Sequence, residues 1–188
     1  MKKQHEDLRE LFLDQLGDML SSEQQIIKSL PGLITLASSE ELKKGLTEHL
    51  KETKAQVTRL KNIFAMLSLK AKAIPCPAMK GLIQEAHELV KGRLKSPTLD
   101  AAIICAAQKI EHYEMATYGT LRSFAKKLNL DSKVASLLQE TLNEEGNADK
   151  TLTKIADGFL FTTGVNRLAA SGKALPKRKK AAPKKRKK

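Results

Sequence analysis

Apolar residues recur at three- and four-residue intervals along nearly all of residues 4–158, and the stripes stop being apolar near the middle of each long segment. The spacing predicts amphipathic helices. The interruptions are carboxylates and a histidine, so a chain that buries these faces must also bury charge. The first segment, about residues 4–30, carries Leu8, Leu11, Phe12, Leu16, Met19, Glu23, Ile26, Ile27 and Leu30. Pro31-Gly32 should break or bend it.

The second helix reads from a capping box, Ser38 with Glu41 three residues later. Its stripe is Leu42, Leu46, His49, Thr53, Gln56, Val57, Leu60 and Phe64. At about 30 residues it would be about 45 Å long. A linker, Leu69 to Pro77, precedes a shorter helix with Met79, Leu82, Ile83, Ala86, Leu89 and Val90. The third long helix runs from about Thr98 to Leu128, with Ile103, Ile104, Ala107, Glu111, Glu114, Tyr118, Leu121 and Ala125. Asp131 is the expected N-cap of the fourth. That helix carries Val134, Leu137, Leu138, Thr141, Glu145, Asp149, Leu152 and Ile155, and Asp157-Gly158 is its expected stop. Beyond these, only Phe159–Thr162 alternates like a strand.

Four long helices, with a short one between the second and third, give an all-α bundle. The roughly 30 residues from Leu69 to Thr98 can supply the long crossover of an up-down-down-up bundle. The expected division is a helical bundle over 1–158, a connecting segment over 159–172 and a tail over 173–188.

Charge separates the body from that tail. The net charge is +13, and residues 173–188 hold ten basic residues and no acid, which leaves +3 for residues 1–172. The tail should be disordered on its own. Its two blocks, Lys177-Arg178-Lys179-Lys180 and Lys184-Lys185-Arg186-Lys187-Lys188, would attract DNA or another polyanion without sequence preference, and with strong salt sensitivity. A nuclear localisation signal, used if the protein is exported into a host, is the alternative reading. Adhesion to an anionic membrane ranks below both, because the tail has no apolar anchor. No Trp and 4% aromatic content argue against a stacking platform for bases. No apolar run reaches the roughly 20 residues of a membrane span. The charged N-terminus lacks the apolar core of a secretory signal. With only Cys76 and Cys105, no disulfide framework or zinc knuckle is present, so a reducing cytoplasm is expected. Cys105, in an apolar stripe, reads as a core residue, and Cys76, in the Pro-rich linker, as the accessible thiol. His5, His87 and His112 read as surface residues.

An unpaired buried carboxylate costs several kcal/mol, about 2–7 for lesser polar groups, so the mid-helix acids need partners or a metal. Carboxylate-bridged di-iron bundles use a Glu from each of two helices and Glu-x-x-His from each of the others. Glu23 and Glu111 match the single-Glu helices. The second helix offers His49-x-x-Glu52 in reverse order, with Gln56 further on, and the fourth offers Glu145-x-x-Ala148 followed by Asp149. Each pair shares a helix face. The alternative is a set of acids that reach water or pair with lysines. In that case the chain would be a non-enzymatic, DNA-associated or scaffolding bundle with a degenerate site.

The runs Asp14–Glu23, His49–Leu60, Cys76–Leu82, Ala106–Leu121 and Leu142–Leu152 resemble the YciE/YciF family of ferritin-like bacterial stress-response proteins. Glu111-His112-Tyr113-Glu114 is the most specific part. The resemblance covers residue 6 to about 158 and leaves out the tail. It implies a ferritin-like four-helix fold, a dinuclear metal centre and a homodimer; iron is the expected metal and manganese the alternative, since both suit mixed carboxylate and histidine ligation. Carried over by position, the metal ligands would be Glu23, His49, Glu52, Glu111, Glu145 and Asp149, with Glu114 as a further ligand or hydrogen-bond acceptor and Gln56 as a hydrogen-bonding partner. The expected function is stress-related oxidation of Fe(II) or consumption of oxidants, with the tail tethering the protein to the nucleoid.

Overall fold

The computed structural model describes residues 7–158 and 162–172. Its elements are α1 (Leu8–Leu36), α2 (Glu40–Met66), α3 (Pro77–Val90), α4 (Pro97–Lys127), α5 (Ser132–Asp157) and α6 (Val165–Ser171), with no strand among the described residues. His5, most of the alternating stretch Phe159–Thr162 and the basic tail lie outside them.

The long helices α1, α2, α4 and α5 form the four-helix bundle that the periodicity predicts, in the ferritin-like arrangement that the resemblance implies. Around the ring, α1 packs on α2, α2 on α5, α5 on α4, and α4 on α1, while α3 covers α1 and α4. Asp100, at the start of α4, accepts the backbone N–H of Ser38 at 2.6 Å and of Ser39 at 2.9 Å. The starts of α2 and α4 therefore lie at the same end, and both helices run in the same direction. With short connections on either side, the order is up-down-down-up.

Local expectations differ from the structure in two places. The helix α1 passes through Pro31 and ends at Leu36. A proline inside a helix costs about 3 kcal/mol. Here the residues on both sides of it, Ile26, Leu30, Leu33 and Ala37, are buried in one apolar cluster, and that burial offsets the cost. The N-cap of α2 is Ser39, not Ser38: its hydroxyl accepts from Leu42 N–H at 3.3 Å. Asp100 holds both serine amides, so the chain turns into the helix one residue later than the capping box suggests.

The crossover from α2 to α4 is held along α1. Ile74 N–H donates to the Gly17 carbonyl at 2.9 Å. A Cβ at Gly17 would lie 2.8 Å from the Lys72 carbonyl and 2.9 Å from Ile74 Cγ1, so only glycine allows this approach. Cys76 caps α3, Ser96 caps α4, Asp131 caps α5, and α5 stops at Gly158, whose φ is +87°.

The core has two apolar clusters. One contains Leu30, Leu33, Leu42, Leu46, Leu99 and Leu152. The other contains Phe12, Leu16, Met19, Leu60, Leu121 and Leu138. Between them the bundle buries Glu23, His49, Thr53, Gln56, Glu111, Glu114, Thr141 and Glu145.

Candidate metal centre

Each long helix contributes to this polar layer, because each places one or more polar residues where its apolar stripe crosses mid-length. His49 of α2 and Glu111 of α4 meet across the bundle, with Nε2 3.4 Å from Oε1. His49 Nδ1 lies 4.0 Å from Glu145 Oε2 of α5. Glu114, one turn beyond Glu111, joins them. One donor atom from each of His49, Glu111, Glu114 and Glu145 lies within 4.8 Å of the others, and all four residues are buried.

Glu23 of α1 borders this group. Tyr118, fully enclosed on α4, donates its hydroxyl to Glu23 Oε1. On the far side, Gln56 Nε2 donates to Glu145 Oε1 and, at 3.0 Å, to Glu144 Oε2. Arg59 holds Glu144 with two bonds of 2.8 and 2.9 Å, and also reaches Thr141 and Glu140. The Arg59–Glu144 pair was not evident in the sequence. Its only trace there was Arg59 one turn beyond Gln56 and Glu144 beside Glu145.

Burial is the main electrostatic influence. It pushes the carboxyls of Glu23, Glu111 and Glu114 well above the usual range, and their mutual repulsion pushes them further. Glu145 is raised to about 7, again mainly by burial. Burial lowers His49 to about 4, leaving a neutral imidazole able to ligate. Glu23 and Glu114, and likewise Glu111 and Glu145, are close enough to share a proton as carboxyl pairs.

With these groups ionised, the protein offers no hydrogen-bond partner to Glu23 Oε2, His49 Nδ1, Glu111 Oε2, either oxygen of Glu114, or Glu145 Oε2. Buried polar atoms of this kind are nearly always satisfied. Several acceptor atoms converging with no donor form a site that divalent cations fit. The mixed carboxylate and imidazole set suits iron or manganese better than a soft thiolate metal.

Two expected ligands lie further out. Glu52 is partly exposed at the mouth of a cavity leading to His49, its carboxyl raised by burial and by Glu144 and Glu48. Asp149 accepts from Gln108 at 3.0 Å and lies 3.4 Å from His112 Nε2.

The cysteines reverse their expected roles. Cys76 is buried, with Sγ 3.2 Å from the Tyr113 hydroxyl, which also donates to Asp18 at 3.0 Å. Capping α3 draws its thiol inward despite the prolines around it. Cys105 is exposed, because it falls outside the buried arc of α4 formed by its neighbours Ile103, Ile104 and Ala106.

A domain of unknown function, DUF892, matches residues 7–169. The chain belongs to the DUF892 family. Protein YciF of Escherichia coli is 42% identical over 150 residues, covering 79% of this chain and 90% of that protein. The crystal structure of the E. coli stress protein YciF superimposes with a TM-score of 0.76 at 41% identity, covering 79% of this chain and 94% of that one. YcfI from Rhodopseudomonas palustris gives a TM-score of 0.80 at 40% identity, over 83% of this chain and 99% of that one. The resemblance read from the sequence is thus borne out. A Xanthomonas campestris protein with 17% identity and a TM-score of 0.63 shares the fold. In this DUF892 chain no described helix is long and apolar enough to cross a membrane.

Proposed function

We propose that this protein holds a dinuclear iron or manganese centre in its polar layer and uses it in stress protection. The observation that carries this reading is the meeting of His49, Glu111, Glu114 and Glu145 within 4.8 Å, buried and rich in acceptor atoms that lack donors. Glu23 would complete the set from α1, and Glu52 and Asp149 stand beside it. Such a centre supplies one-electron chemistry for oxidising Fe(II) as substrate or consuming an oxidant. The protein's own groups do the rest. Gln56, anchored on Glu144, orients Glu145, while Tyr118 orients Glu23. The two apolar clusters exclude water from either end. The carboxyl pairs hold protons until metal replaces them.

The proposed setting is the cytoplasm, with a homodimeric bundle over 1–158 and the tail beyond residue 172 tethering it to DNA. The support for the tail is its ten positive charges without an acid. Each phosphate neutralised would contribute a salt slope of roughly −0.9.

Metal analysis after aerobic iron loading tests the centre. Less than about one metal per two chains would overturn it, since a four-donor site of this kind should fill. For the tail, DNA retardation of the full chain is compared with a chain ending at Gly172. Equal retardation would remove its proposed role.

A further inference from the structure

A cavity of about 510 Å³ opens between α2 and α5 and ends at His49 and Glu111. Its walls include Gly45, Leu46, Ala148, Leu152 and Ile155. That volume is within the roughly 300–1,000 Å³ of pockets that enclose small organic molecules. It would be oversized for a metal ion or a diatomic oxidant alone.

Ala148 explains why there is room. In the Glu-x-x-His pattern of carboxylate-bridged bundles, the residue three after the glutamate is a histidine. After Glu145 that residue is Ala148, and it lines the cavity. Gly45 lines the same cavity from α2, facing Ile155 and Thr151. A Cβ there would meet Ile155 Cδ1 at 3.5 Å, an ordinary contact, so no clash requires glycine, and its missing side chain widens the passage.

The walls of the cavity, not its rim charges, select against ions. At the mouth Glu41, Glu48 and Glu52 stand near Lys44 and Lys154, and Lys51 pairs with Glu48 at 2.8 Å, so the rim is close to neutral. A carboxylate or phosphate entering here would give up water for mainly apolar walls, a desolvation cost that an uncharged molecule avoids. An uncharged molecule with an apolar body would meet matching walls and could place one polar end against His49 and Glu111.

We propose that this cavity is the binding site for a neutral, mainly apolar organic substrate, delivered tail-outward to the His49–Glu111 end. The proposal rests on the metal-centre reading for its chemistry but not for its binding.

The test uses the full chain with ¹³C-labelled leucine and isoleucine methyls, titrated with 1-octanol and separately with octanoate. Saturable shifts of the Leu46, Leu152 and Ile155 methyls are expected with octanol. Octanoate, compared with octanol on chelator-treated chain so that no metal ligates its carboxylate, should bind at least about tenfold more weakly, equivalent to about 1.4 kcal/mol. The substitutions Ala148→Phe and Gly45→Leu should each abolish the octanol shifts while circular dichroism stays unchanged. If one variant does not fold, the other decides. No saturable shift with either ligand, equal or tighter octanoate binding, or octanol shifts that persist in a folded filled variant would overturn the proposal. Metal content is measured on iron-loaded samples of the same chain, without chelator. Low metal with intact octanol shifts overturns the metal reading and leaves the cavity proposal standing, whereas full metal with no shifts does the reverse.

Discussion

Tyr118 donates its hydroxyl to Glu23 Oε1 across the α1–α4 interface, and neither side chain is reached by solvent. Apart from the proton that Glu23 can share with Glu114, that hydroxyl is its donor among the described residues. Tyr118→Phe should destabilise the metal-free chain by about 1–3 kcal/mol, the cost of leaving a buried acceptor unsatisfied. Thermal unfolding in chelator measures it. An unchanged melting temperature would show that Glu23 does not depend on the tyrosine.

Glu114 should have the opposite effect. Both its oxygens lack donors, and Glu23, Glu145 and Glu111 surround it. Glu114→Gln keeps the volume and removes a carboxyl that would otherwise take on charge in the buried layer as pH rises. We expect the metal-free chain to gain about 1 kcal/mol, or roughly 2–4 °C in melting temperature for a chain of this size. Bound metal should fall in the same variant. A variant that is both less stable in chelator and fully metal-loaded would contradict the placement of Glu114 in the site.

Stability of the metal-free chain should fall as pH rises. Glu23, Glu111, Glu114 and Glu145 keep their protons to higher pH when folded than when unfolded, Glu145 to about 7. Their contribution is complete below the ordinary carboxylate range and is lost as pH climbs through the raised values. His49 acts oppositely. With its folded value lowered to about 4, it contributes stability above the unfolded imidazole range that is lost as pH falls. Four carboxyls outweigh one imidazole, so the melting temperature in chelator should decline from about pH 5 to about pH 8. Because metal displaces these protons, the gain on adding Mn(II) should be larger at the higher pH. A metal-free melting temperature that rises over this range would count against the buried acids.

Thiol labelling separates the two cysteines. Cys105 is exposed, whereas Cys76 is buried with its sulfur engaged by Met79 N–H and near Tyr113. An aromatic disulfide reagent should modify one thiol per folded chain quickly. The second should react more slowly by on the order of 100-fold, after opening of the α3 cap. Cys105→Ser should remove the fast phase. Two fast thiols would place Cys76 at the surface.

The periodicity of residues 4–158 was enough to find the four long helices and the short one between them, because apolar spacing reports directly which face of a helix avoids water. Proline and cysteine were read less well. Pro31 sits inside α1 because buried residues on both sides outweigh a local penalty that, taken alone, predicts a break. Cys76 and Cys105 exchanged their expected places because neighbouring residues show a thiol's local setting, not which partner helix covers it.

The sequence by itself determined that acids and a histidine interrupt each apolar stripe near its middle, since position along a helix and angle around it follow from residue spacing. Only the tertiary structure decided that Glu111, Glu114, Glu145 and His49 meet while Glu52 and Asp149 stand outside the group. The relative height and rotation of the helices set that outcome. They depend on long-range contacts: Asp100 fixes the start of α2, and the Gly17–Ile74 bond holds the crossover on α1. Residues so far apart in the chain leave no periodic signal of their meeting.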